Sequence, residues 1–151
     1  MKVLKICIVL LSILTCIGLS DAVEAKMLST TVSNVNIRSG PGTKYDILWQ
    51  AGKHCPLKIL KKQGEWYRFK DFEEDTGWIH KSLVAFVPSM VVKTDDINVR
   101  SGPGKKHPVI FKATKGVSFK ALRKKGDWVQ VEHEDGDTGW AYRRLLWGYT
   151  K

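Results

Sequence analysis

The 151-residue chain is poor in several things that usually narrow a protein's function. Cysteine occurs three times, and two of those, Cys7 and Cys16, lie in an apolar amino-terminal stretch. Histidine occurs four times, at His54, His80, His107 and His133, without the spacing of a metal-ligand set, so neither a metal nor a cofactor is implied. No apolar run reaches the ~18 to 20 residues a membrane-spanning helix needs, which argues against an integral membrane protein. Acidic residues are outnumbered 15 to 25 by Lys and Arg, and the formal net charge is +10. Such an excess predicts attraction to anionic polymers or surfaces without naming one. The chain is also too short for an enzyme with separate cofactor and substrate domains. What it does have is six tryptophans and a 43% apolar fraction, a globular composition.

Lys2 and Lys5 precede an apolar stretch from Ile6 to Leu19, and Val23-Glu24-Ala25 has the small-residue spacing a signal peptidase reads. The expectation is a secretory signal peptide over residues 1–25, hence a periplasmic or secreted protein; an uncleaved anchor is the alternative. Thr15 is bulkier than the residue that usually precedes a lipidated cysteine, which disfavours lipidation at Cys16. Cleavage after Ala25 removes two lysines, Asp21 and Glu24, so the net charge stays +10. Cys55 would then stand alone, and one cysteine forms no internal disulfide.

The remainder is one module written twice at a constant offset of 62 residues. Val35-Asn36-Ile37-Arg38-Ser39-Gly40-Pro41-Gly42 returns as Ile97-Asn98-Val99-Arg100-Ser101-Gly102-Pro103-Gly104. Gly64-Glu65-Trp66 returns as Gly126-Asp127-Trp128, and Asp75-Thr76-Gly77-Trp78 as Asp137-Thr138-Gly139-Trp140. Each copy reads as short strands between turn signals, with no long helical period. The fold class expected is all-β: two small barrels or sandwiches, spanning residues 26–87 and 88–151. The joining segment, Ala85 to Val92, is short and apolar, so the copies should pack together through it.

The pattern N-[IV]-R-S-G-P-G, a later G-x-W and a closing G-W before leucine resembles the bacterial SH3 (Src-homology-3-type) family in both copies. Tyr45-Asp46-Ile47-Leu48-Trp49 and Gly77-Trp78-Ile79-His80-Lys81-Ser82-Leu83 are similar to the variant found in proteobacterial envelope proteins. The second copy departs there, with Phe111 for Trp49 and Tyr142-Arg143-Arg144 for His80-Lys81-Ser82. The resemblance implies a barrel of about five strands, non-catalytic, used for targeting or binding. Family members often accompany cell-wall hydrolases and bind peptidoglycan or its peptide stems.

Strand phase places Trp66 and Trp128 opposite the core-facing Phe69, Val129 and Val131. There they form a ligand platform or fill the barrel mouth. Trp78 and Trp140 follow glycine directly and fit core or rim packing as well as a ligand surface. Tyr45 and Trp49, with Phe111 in the second copy, lie just beyond the Gly-Pro-Gly loop, where eukaryotic SH3 domains hold peptides. Arg38 and Arg100 either pair with a ligand anion or clip their own loops by bonding carbonyls. Cys55 has Val117 as its counterpart, so the position is apolar and a nucleophile is not expected.

These residues favour an exported, non-enzymatic tandem module that binds peptidoglycan or its peptide stems, with electrostatic contact to an anionic envelope surface. The alternative is an adaptor holding a peptide of an envelope partner protein. Nucleic-acid binding rests on charge alone, without a concentrated basic stripe. A hydrolase lacks any nucleophile–base pair in the sequence.

Overall fold

The structure, a computed structural model, describes residues 26–150. The signal-peptide expectation concerns residues 1–25 and lies outside them. The regular structure of the described chain is nearly all β and repeats one seven-stranded antiparallel sheet. The first copy contains β1 (Met27–Thr30), β2 (Val35–Arg38), β3 (Ile47–Ala51), β4 (Pro56–Gln63), β5 (Trp66–Lys70), β6 (Thr76–His80) and β7 (Val84–Ala85). The second contains β8 (Ser89–Val92), β9 (Asp96–Arg100), β10 (Val109–Thr114), β11 (Ser118–Lys125), β12 (Trp128–Glu132), β13 (Thr138–Tyr142) and β14 (Leu146–Tyr149). Strand order is β3-β2-β6-β5-β4-β1-β7, and β10-β9-β13-β12-β11-β8-β14 in the second sheet.

Seven strands replace the five or so expected, because the short β1 and β7 (β8 and β14) pair as an added flap beside β4 (β11). A three-residue 3-10 turn, Lys81–Leu83 or Arg143–Leu145, leads into the last strand of each copy. Alternation decides what is inside. In β12 Val129 and Val131 are fully buried while Trp128 and Gln130 are not, the period-2 signature of a one-sided sheet. The first core gathers Val35, Ile37, Leu57, Ile59, Phe69 and Ile79. The second gathers Ile97, Val99, Phe119, Val129, Val131 and Ala141.

The copies touch. Ser29 and Tyr149 share a hydroxyl hydrogen bond at 3.1 Å, and the Ser33 hydroxyl donates to Glu134 at 2.9 Å. Lys115 pairs with Glu73, and Phe86 lies against the Tyr149 ring at 5.4 Å between centroids. The joining segment is not a tether, since Ser89–Val92 is itself the strand β8.

Candidate binding clefts

The Ser-Gly-Pro-Gly loop after β2 is closed from three sides. Arg38 Nη1 donates to the carbonyls of Thr43 (3.0 Å) and Tyr45 (2.8 Å). Ser39 N–H donates to Asp46, and Gly42 N–H to Gly40. The Tyr45 ring covers Gly40 so closely that a Cβ there would lie 2.4 Å from it. Arg100 repeats the clip through His107 O (2.8 Å), and His107 covers Gly102 as Tyr45 covers Gly40. A guanidinium has five donors, so one nitrogen spent on the loop leaves the rest of the fork free to meet a ligand.

Beside each clipped loop is a cleft. In the first copy Asn36, Arg38, Thr43, Trp66, His80 and Leu83 line a space of about 300 Å³. In the second, Asn98, Arg100, Lys105, Trp128, Tyr142 and Leu145 line about 180 Å³. All six positions correspond at the 62-residue offset. Trp66 sits directly across the β5–β6 ladder from His80, ring centroids 5.3 Å apart and nearly perpendicular. Trp128 and Tyr142 repeat the cross-ladder pairing at 5.6 Å, with the rings tilted by 52°. His80 Nδ1 bonds the Ser82 hydroxyl (2.7 Å) and accepts its N–H (3.3 Å), which puts the neutral ring's proton on Nε2. Each cleft thus offers aromatic faces, one aromatic-borne donor and an arginine held in place.

Two copies of one loop, one clip and one cleft coincide with the bacterial SH3 domain profile over residues 31–85 and 93–148. The chain belongs to the bacterial SH3 domain family. Its relatives include YrvJ of Bacillus subtilis (strain 168), named as an N-acetylmuramoyl-L-alanine amidase. The two are 29% identical across 91% of this chain and 29% of YrvJ. LytH of Staphylococcus epidermidis, named as a cell wall amidase, is 35% identical across 45% of this chain and 20% of LytH. The chain therefore spans less than a third of the length of these relatives. Among solved structures, an NlpC/P60 family protein from Bacillus cereus aligns over 83% of this chain and 57% of its own, at 12% identity and TM-score 0.38.

The SH3 copies distribute the nine candidate residues over four places. Arg38, Trp66, Arg100 and Trp128 line the clefts. Tyr45 underlies the loop. Trp49 and Phe111 point the other way: Trp49 meets core residue Phe69 edge-on at 6.3 Å, and Phe111 meets Phe119 at 6.4 Å. Trp49 lies across the ladder from Ile37, so it shares the inward phase. Trp78 and Trp140 are 9% and 6% exposed yet stand apart from both core clusters. They lie on the outer sheet face, each capped by a cation: Lys61 Nζ is 5.3 Å from the Trp78 ring, Arg123 5.2 Å from Trp140. His80 and Tyr142 were not among the candidates, because they become neighbours of Trp66 and Trp128 only through strand register; Thr43 and Lys105 reach the clefts from the loops, and Leu83 and Leu145 from the 3-10 turns.

Cys55 packs at the edge of the first core, and burial, with Asp71 second, pushes its thiol up to about 11. A thiol in that range is not a thiolate nucleophile near neutral pH. Neighbouring His54 is held below its ordinary value, first by burial and then by Lys53 and Lys120. Among the described residues no three His, Cys, Asp or Glu side chains converge as a metal set. No helix among them is long and apolar enough to cross a membrane.

Proposed function

We propose that this is an exported, non-catalytic protein of the cell envelope whose two SH3 clefts bind peptidoglycan through its peptide stems. The observation that carries this reading is the repetition of a complete cleft, Arg-clipped loop, tryptophan wall and aromatic partner, at the same six positions in both copies. Flat rings cover a peptide backbone at little entropic cost, and the spare arginine donors suit a carboxylate. The names of the amidase relatives place related sequence in cell-wall proteins, which supports the choice of polymer. Two weak sites on one chain gain avidity on a repetitive ligand.

The deciding experiment is co-sedimentation of the protein with purified, protein-free sacculi at low and high salt. Retention at high salt that is lost in folded Trp66→Ala and Trp128→Ala variants is the expected outcome. Binding that disappears with salt would reduce the contact to electrostatics. A second reading, an adaptor for a peptide of an envelope partner, draws on the exposed apolar pairs Ile47–Leu48 and Val109–Ile110, repeated on the edge strands β3 and β10. It predicts no binding to protein-free sacculi at any salt.

A further inference from the structure

Strand register arranges the outer face of the first copy into rows that the sequence conceals. Lys61 pairs with Arg68, Arg68 with Trp78, and Trp78 with Arg38. These four residues form one row across β4, β5, β6 and β2. A neighbouring row pairs Lys58 with Lys70. Lys58, Lys61 and Arg68 are exposed; Lys70 is partly exposed and engages Glu74. Two like-charged pairs therefore face each other directly across the β4–β5 ladder, an arrangement that destabilises a sheet.

The second copy has removed both repulsions at the same positions. Arg123 faces Gln130 and bonds it at 2.7 Å, and Lys120 faces Glu132. The fold thus does not require the like-charged pairs, and they persist in one copy only. Local conflicts of this kind concentrate where a site needs them. A bound anion would turn the repulsion into attraction, since phosphate oxygens accept from several cations at once.

The geometry points to the outer face of the first copy as a docking strip for a linear phosphate polymer, laid across β4, β5, β6 and β2. The row spans four strands, roughly 14 Å at ~4.8 Å per strand, and is one residue wide. That shape suits a single extended chain better than a flat lipid surface. Trp78 forms the floor midway, with Lys61 already over its ring. At its far end the row reaches Arg38, which also lines the Trp66 cleft. The second copy keeps Arg123, Trp140 and Arg100 in the equivalent row and lacks only its central cation, Gln130 standing for Arg68. The strip does not depend on the peptide-stem reading, because the clefts occur in both copies and the complete strip in one.

The test is a salt titration of the full chain with long-chain inorganic polyphosphate, followed by calorimetry or fluorescence anisotropy. Short tripolyphosphate and phosphatidylglycerol vesicles are the comparison probes. Binding of the long polymer is expected to weaken with salt. Arg68→Gln, which installs the second copy's residue, should cost about five-fold in affinity, the effect of one cation near an anionic surface. It should also lower the slope of log affinity against log salt by about 0.7. Arg123→Gln should change neither quantity appreciably, and the double variant Gln130→Arg with Glu132→Lys should add a second binding strip. Because Arg68→Gln removes a repulsion, its melting temperature should hold or rise, which separates lost binding from lost folding. Unchanged affinity in Arg68→Gln would overturn the inference. So would an equal loss in Arg123→Gln, tripolyphosphate binding as tightly as the long polymer, or capture by vesicles alone.

Discussion

At Glu74 and His54 the backbone is left-handed, with φ of 70° and 61°, and the corresponding residues of the second copy are Gly136 and Gly116. A side chain in that region costs about 1 to 2 kcal/mol, partly offset by the greater chain entropy of glycine when unfolded. Glu74→Gly is therefore expected to stabilise the protein by about 0.5 kcal/mol, seen as a small rise in melting temperature, even though it gives up the exposed pair with Lys70. Cys55 gives a prediction of the opposite sign. Its folded-state value of about 11 lies above the ordinary thiol value of 9.0, so above pH ~9 the unfolded chain releases a proton that the folded one keeps. Stability should fall by about 2 kcal/mol as pH rises from 9 toward 11. Denaturant unfolding across that range checks this, with Cys55→Val, the second copy's residue, showing a smaller fall. His54 acts at the acid end: its value is depressed, so the folded state loses ground as pH drops below about 6.5 and the unfolded chain takes up the proton.

Single elements explain what the sequence could and could not reveal. The period-2 alternation in β5 and β12 was legible, and it placed Trp66 and Trp128 away from the core, as observed. The two arginines were legible as either clips or anion ligands, and the structure shows the clip. Trp49 was not legible, because nearness in sequence to the loop says nothing about phase relative to Ile37. Trp78 was half legible: it is buried, but beneath a lysine on the outer face instead of inside the barrel. Pairings such as Trp66 with His80, or Lys61 with Arg68, each need the register of a hairpin, including the shift between Ile59 and Lys61 in β4, which one-dimensional patterning does not contain. The β5–β6 hairpin carries its own prediction. Gly77→Ala would place a Cβ 2.3 Å from the Ile37 methyl in a core with no room to yield. A loss of about 1 to 3 kcal/mol is expected in thermal unfolding.

For the whole molecule the question is whether two small barrels behave as one. Ser29 is fully buried, stands where the second copy has Val91, and shares its hydroxyl with Tyr149. With Lys115–Glu73 and Ser33–Glu134, that bond ties both ends of the described chain to the contact between the copies. Calorimetry should show a single transition. Tyr149→Phe should lower it by about 1 kcal/mol or split it in two, since a buried hydroxyl is left without its partner. The two ends meeting at one bond also has a mechanical meaning. A pull applied at residues 26 and 150 would load the seam between the barrels before either sheet, so the protein should lengthen first by parting its halves, with both clefts still intact.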